Sequence, residues 1–181
     1  AGQAELGVVG GIDGFLLVGE QSHLAQQPGR IMVGSRRAPD LHGLLQALAD
    51  HDGGGKVGSV ESLLVHGFGS RPLFQAILAQ RGPDIVGTVL FYPDYSTHRG
   101  QPGVFVQDIY VADDCRGLGI GRDLLIAAMQ AGQSWGAAYL TLAVDPGNAF
   151  AQRFYAGQGF RPRGYDFLIL DGAGLAALMT A

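Results

Sequence analysis

A mixed α/β domain is what this sequence predicts, and three observations carry the prediction. Apolar runs rich in Val, Ile and aromatic residues alternate with stretches whose leucines and alanines repeat at helical spacing. Two of the runs, residues 73–80 and 85–92, flank Arg81-Gly82-Pro83-Asp84, a turn composition suited to an antiparallel hairpin. A third run, residues 104–111, feeds an amphipathic stretch through a glycine-rich turn. Another apolar run follows at 138–144, so the second half centres on a strand–helix–strand unit. With 181 residues, 47% apolar and 15% charged, the chain is long enough to bury a substantial core and reads as globular.

Taken in order, residues 1–30 form an N-terminal arm ahead of a single main domain, residues 31–181. Within the arm, two short apolar runs, 7–9 and 15–18, flank Gly10-Gly11-Ile12-Asp13-Gly14 and read as an extra hairpin. Gln26-Gln27-Pro28-Gly29 links the arm onward. Residues 31–38 read as the first strand of the domain. Pro39-Asp40 then opens a helix with Leu41, Leu44, Leu45 and Leu48 on one face, ended by Asp52-Gly53-Gly54-Gly55. Ser59 caps a shorter helix that stops at Gly67. After the hairpin strands, residues 95–103 read as a loop into the 104–111 strand. Leu124, Leu125, Ala128, Ala131 and Trp135 keep helical spacing, and 138–144 is the next strand. Asn148 is placed to cap a short helix carrying Phe150 and Phe154 one turn apart. Phe160 and residues 165–170 read as the last strands, and Leu175, Leu178 and Met179 mark a small closing helix.

Composition excludes several classes. A net charge of −4 argues against a nucleic-acid binder that works by broad phosphate neutralisation. The apolar stretch 6–18 is broken by Gly10, Gly11, Asp13 and Gly14, and no basic residue precedes it. It therefore reads as neither a membrane span nor a signal peptide. One cysteine, Cys115, leaves no partner for an internal disulfide, so a reducing, cytoplasmic location is expected. The five histidines show no ligand spacing, so no metal site is expected.

The chemistry concentrates at Arg116-Gly117-Leu118-Gly119-Ile120-Gly121. A strand that enters a helix through such a turn gathers backbone N–H groups at the positive end of the helix dipole. That arrangement holds phosphate groups. In a chain with 30 glycines, Arg-x-x-Gly-x-Gly arises by chance about 0.3 times, so its context must carry the case. The turn lacks the third glycine of a dinucleotide fingerprint, and no Gly-Lys-Ser/Thr is present.

A second motif supplies the context. Asn148, Ala151, Phe154-Tyr155 and Gly159-Phe160 follow the pattern Asn-x-x-Ala-x-x-Phe-Tyr-x-x-x-Gly-Phe, with a strand between it and the glycine turn. Together the two motifs resemble the GNAT superfamily of N-acetyltransferases over roughly residues 31–170. Tyr95-Ser96-Thr97, Gly100, Pro102-Gly103 and Gln107-Asp108 are similar to the diamine (spermidine/spermine-type) subfamily.

This resemblance implies the GNAT fold, a mixed central sheet splayed between its fourth and fifth strands with helices on both faces. It also implies acetyl-CoA as the cofactor, and direct transfer of acetyl to the primary amine of a small molecule within a homodimer. Ile109, Tyr110 and Val111 would offer backbone groups to the pantetheine arm. Arg116, Gly117, Leu118, Gly119, Ile120, Gly121 and Arg122 would hold the pyrophosphate, and Asn148 would face the cofactor arm. Side chains at 117, 119 or 121 would obstruct close approach of the backbone. Tyr155 would protonate the departing thiolate, and a backbone N–H near Val111 would polarise the thioester carbonyl.

For the base, the subfamily carries Glu-Asp where this chain has Gln107-Asp108. A glutamine cannot accept a proton. Asp108 is then the base or amine anchor, although adjacent strand residues point to opposite faces, which would leave Asp108 structural. Otherwise the amine loses its proton to water lined by Asp94 or backbone carbonyls. His98, in the loop before the strand, is a candidate substrate contact alongside Asp94 and Gln107. Two alternatives stand beside the small-molecule enzyme: an acyl-CoA sensor without turnover, and an acetyltransferase of protein lysines or N-termini.

Overall fold

The computed structural model describes residues 29–164 and 167–180. The expected hairpin in the N-terminal arm lies outside them. The chain divides into two compact units, one ending at Leu142 and one beginning at Ala143.

The first unit is built on a five-stranded sheet in the order β1-β2-β3-β4-β5, with β1 Gly29–Met32, β2 Gln75–Arg81, β3 Asp84–Ser96, β4 Gln101–Val111 and β5 Leu140–Leu142. The first four strands run antiparallel to their neighbours and β5 joins β4 in parallel. Among the described residues of this unit, three α-helices accompany the sheet: α1 Ala38–His51, α2 Val60–Phe68 and α3 Ile120–Gly132.

Strand alternation assigns the two faces. Leu78 and Leu90 are buried with Leu41 and Leu45 of α1 and Leu63 of α2, so these helices cover one face. On the other face, Gly87 approaches Leu124 of α3, and Gly132 of α3 is pressed against Val104. Glycine at 132 lets the end of α3 lie on the sheet.

Ser59 caps α2 as expected, its side chain accepting from the Ser62 N–H at 3.2 Å. The first strand is shorter than expected. It ends at Met32, residues Ser35–Arg37 form a 3-10 turn, and Ala38 is already helical. Pro39 explains this: within the first turn its missing N–H costs the helix nothing, which lets α1 begin before it.

The expected loop 95–103 is mostly ladder instead, since Tyr95 pairs with Pro102 and Ser96 with Gln101. Pro93 does not break β3. The Val104 N–H bonds to Tyr139 O at 2.9 Å on the β5 side, so the opposed pair Pro93–Val104 exchanges no hydrogen bonds. The Pro93 nitrogen therefore faces an edge that β2, which begins at Gln75 opposite Phe91, does not reach. The tight turn is residues 97–100, closed by the Gly100 N–H on Ser96 O at 2.8 Å.

The second unit holds α4 Ala149–Gly157 and α5 Gly172–Thr180. The strands expected at Phe160 and 165–170 do not form among the described residues; Tyr165 and Asp166 lie outside them. Residues 167–170 keep their apolar side chains exposed, Leu168 at 94%. An apolar run becomes a strand only when a ladder partner and a buried face accompany it.

Candidate cofactor and acceptor site

The sheet opens where β4 bulges. Leu90 opposes Asp108 and the next residue, Phe91, opposes Val106, so Gln107 is one extra residue in β4. The β4–β5 ladder covers Val104–Val106 against Leu140–Leu142 and stops at that point. A bulge bends its strand and increases the local twist. Residues 107–111 therefore leave β5 behind and carry a ladder only with β3.

The Ala112 N–H bonds to Val86 O at 2.9 Å, which makes Gly87–Val111 a pair that exchanges no hydrogen bonds. By alternation the same holds for Val89–Ile109. The N–H and C=O groups of Ile109 and Val111 therefore face the open edge. Those of Tyr110 point back to Thr88 of β3, so the edge expected from three consecutive residues belongs to alternate ones. Close packing sustains this ladder: a Cβ on Gly87 would lie 2.8 Å from Tyr110 O.

Beyond the edge, a 3-10 turn Asp113–Cys115 leads into the glycine turn. Gly117 and Gly119 adopt φ of 77° and 85°, the left-handed region that favours glycine. The space a Cβ would take at either position is open, so backbone conformation already requires glycine there. Gly119 is the N-cap of α3 and no side chain caps the helix. The first helical hydrogen bond runs from the Asp123 N–H to Gly119 O at 3.0 Å, so the N–H groups of Ile120, Gly121 and Arg122 have no intrahelical acceptor. Ile120 is buried and anchors the turn, Leu118 is 57% exposed, and Arg122 is exposed on the first helical turn.

The Arg116 side chain does not lead toward these N–H groups. It turns back to β4, donating its Nε hydrogen to Val111 O at 3.0 Å and pairing Nη2 with Asp113 Oδ1 at 2.7 Å. Its guanidinium sits 5.9 Å from the Tyr110 ring centroid. Cys115 is 3% exposed, which denies its thiol the access a nucleophile needs.

The bulge also decides the acceptor side. Regular alternation would put Gln107 and Asp108 on opposite faces. The extra residue brings them to the same one. Asp108 opposes Leu90 and shares its face, and Tyr92 lies two residues further along β3 on that face. The Tyr92 hydroxyl donates to Gln107 Oε1 at 3.2 Å, and its ring stacks on Phe105 with centroids 5.0 Å apart. Asp94 continues the same row.

Burial raises the Asp108 pKa above the ordinary aspartate value, and the negative charge of Asp52 at the end of α1 adds to it. The Tyr92 pKa is likewise raised, by burial first and then by Asp94 and Asp108. Asp94 itself accepts the Tyr139 hydroxyl at 2.9 Å, Arg99 lies over the Tyr139 ring, and Trp135 Nε1 donates to Gly103 O at 3.0 Å. That end of the hairpin is a fastening of β3 and β4 to the β5 side. His98 sits in the exposed turn beyond it.

Tyr92, Asp52 and Tyr139 were not singled out from the sequence. Tyr92 carried a signal there: it stands two residues before Asp94 in a strand, hence on the same face. Among the described residues, no group of three or more His, Cys, Asp or Glu could hold a metal ion.

In the second unit, Asn148 caps α4, its Oδ1 accepting from the Ala151 N–H at 2.9 Å. This engages one of the two lone pairs of the side-chain carbonyl. Gly159, at φ 87°, turns the chain past α4, and the Phe160 ring meets Tyr155 edge-on at 5.5 Å.

Comparison with known proteins agrees with this geometry. Residues 61–160, more than half of the chain, match the acetyltransferase (GNAT) family. The chain is 33% identical over 109 residues to a thialysine N-epsilon-acetyltransferase of Bos taurus, covering 56% of this chain and 64% of that relative. It is 33% identical over 84 residues to an L-methionine sulfoximine/L-methionine sulfone acetyltransferase of Pseudomonas aeruginosa, 45% of this chain and 49% of that one. Thus the chain spans less than two thirds of the length of these relatives.

Among solved structures, an integron cassette protein from the mobile metagenome of V. cholerae superposes with TM-score 0.72 at 20% identity, covering 86% of this chain and 99% of that one. The aminoglycoside N-acetyltransferase AAC(6')-Iy, solved in complex with CoA, superposes with TM-score 0.66 at 18% identity, covering 84% and 97%. With its sheet parted between β4 and β5 and its glycine turn opening α3, this chain belongs to the GNAT acetyltransferase family.

Proposed function

We propose that the protein is an acetyl-CoA-dependent N-acetyltransferase that passes acetyl directly to the primary amine of a small molecule. The observation that carries this reading is the bulge at Gln107. One extra residue opens the β4 edge beside a turn of left-handed glycines and sets Gln107 and Asp108 side by side. Acetyl-CoA supplies the activated acetyl group as a thioester. The open edge at Ile109 and Val111 offers main-chain pairing to the amide-bearing arm. N–H groups of the 117–122 turn meet the pyrophosphate at the positive end of α3. Arg116 contributes through the backbone it ties down.

In the transfer, the amine nitrogen bonds to the thioester carbonyl carbon and the carbon–sulfur bond breaks. An amine near neutral pH is an ammonium and must first lose a proton. Asp108 takes it, directly or through one water, and a raised pKa makes that carboxylate a better acceptor. The N–H at Val111 polarises the carbonyl. The nitrogen gives up its second proton to water as the amide forms, and Tyr155 supplies one to the departing thiolate, an assignment that rests on its place in the Asn148–Phe160 signature. The names of similar proteins, acting on thialysine and on methionine sulfoximine, favour a small acceptor over a protein lysine or N-terminus. We place the enzyme as a cytoplasmic homodimer; the single cysteine suits a reducing compartment. Among the described residues, no helix is long and apolar enough to cross a membrane.

A second reading, an acyl-CoA sensor without turnover, is favoured by Gln107 standing where a carboxylate would relay the proton. Release of CoA thiol against a panel of small amines separates the two. Turnover that falls at least 100-fold in Tyr155→Phe is expected for the enzyme. Tight acetyl-CoA binding with no turnover of any amine overturns it in favour of the sensor.

A further inference from the structure

The row Tyr92–Gln107–Asp108 has a polarity of its own. Gln107 can present either end of its carboxamide, the acceptor Oε1 or the two donors on Nε2. In the structure Oε1 is the end turned to Tyr92. Its ring is fixed by stacking on Phe105, and its hydroxyl donates to Oε1 at 3.2 Å. With its pKa raised, that phenol stays protonated and remains a donor at neutral pH. Gln107 is exposed, and its Nε2 donors are the end left toward solvent. Next in the chain and on the same face, Asp108 offers a carboxylate that accepts N–H hydrogens.

Resting on the acetyltransferase reading, we propose that Gln107, oriented by Tyr92, selects acceptors that carry an oxygen three to five bonds from the reacting amine. Amino alcohols, amino acids and amino sugars meet both groups. The amine goes to Asp108, and the oxygen accepts from Gln107 Nε2. A plain diamine fails at the second contact. Its far ammonium has only donors and would face the donors of Gln107, whereas a hydroxyl or carboxylate oxygen accepts from them. Tyr92 is a positioning residue in this scheme, acting on the acceptor through Gln107.

The test compares kcat/KM for matched pairs that differ only in the far group, 3-amino-1-propanol against 1,3-diaminopropane and 4-amino-1-butanol against 1,4-diaminobutane. The pair whose members are turned over is followed at fixed pH. Wild type is expected to favour the amino alcohol by about tenfold. Gln107→Glu replaces donors with an anionic acceptor and reverses the ratio. Tyr92→Phe frees the carboxamide to turn, so the ratio falls toward one while KM for acetyl-CoA stays unchanged. A merely structural role for Tyr92 would lower the rates with both acceptors equally and leave the ratio intact. Equal use of both amines by wild type, or an unchanged ratio in Gln107→Glu, overturns the inference and leaves the acetyltransferase reading standing. Turnover of no amine in either series or in the wider panel removes both.

Discussion

Arg116 donates its Nε hydrogen to the Val111 carbonyl at 3.0 Å, tying the first residue of the glycine turn to the last residue of β4. This bond holds one peptide of the open edge and the entry to the phosphate turn in a fixed relation, with Asp113 steadying the guanidinium from the other side. Arg116→Ala is expected to raise KM for acetyl-CoA by about tenfold. Arg116→Lys should not restore it, because an ammonium does not reproduce the planar fork. Binding of pantetheine, which lacks the pyrophosphate, should weaken as well. Pantetheine affinity unchanged in Arg116→Ala would make Arg116 a direct phosphate ligand instead.

Gly119 tests the turn by conformation. Alanine at φ 85° is strained although its Cβ has room. Gly119→Ala should lower stability by about 1 kcal/mol, or roughly 2–4 °C in melting temperature. It should also raise KM for acetyl-CoA without changing the preference among amines. A melting temperature unchanged within 1 °C on calorimetry would count against the strain.

The raised Asp108 pKa has two consequences of known sign. In the folded chain the carboxyl holds its proton to higher pH than in the unfolded chain, so between those two pKa values the folded state binds more protons. Stability then falls as pH rises from the ordinary aspartate value through the raised one. Asp108→Asn should flatten this fall and, above it, be at least as stable as wild type. For activity, the acidic limb of kcat/KM should track the same group. Asp52→Asn removes the neighbouring negative charge and should move that limb to lower pH. A limb that does not move would detach Asp52 from the base.

Tyr139 separates fastening from catalysis. Its hydroxyl satisfies Asp94 at 2.9 Å, within a cluster that includes Arg99. Tyr139→Phe should cost about 1 kcal/mol of stability, read by denaturant unfolding, with kcat altered less than twofold. A large loss of kcat at unchanged stability would move Asp94 into the chemistry.

The helices α1 and α3 were legible because leucines and alanines at helical spacing report a buried face. The β2–β3 hairpin was legible because Gly82-Pro83 punctuates it. The limits of β1 and β3 were less so: β1 gives way to a helix that begins before Pro39, and β3 runs on because Pro93 faces an edge that β2 does not reach. Pairing Gln107 with Asp108 was not legible at all. Strand alternation assigns neighbours to opposite faces, and a register shift between two strands leaves no trace in the periodicity of either one. Arg116 was read as a phosphate ligand from its place in the motif, whereas its side-chain direction is decided by a carbonyl five residues earlier. The apolar residues 167–170 carry a strand pattern but form no ladder among the described residues.

The extra residue in β4 has an evolutionary consequence. Gln107 opposes no residue of β3, and its side chain is exposed, so exchanging it costs one exposed hydrogen bond to Tyr92 and disturbs neither the ladder nor the core. The position proposed to distinguish one acceptor from another is thus held by one exposed side-chain contact rather than by the ladder or the core. Under that proposal, single substitutions there would shift acceptor preference without touching the open edge at Ile109 and Val111.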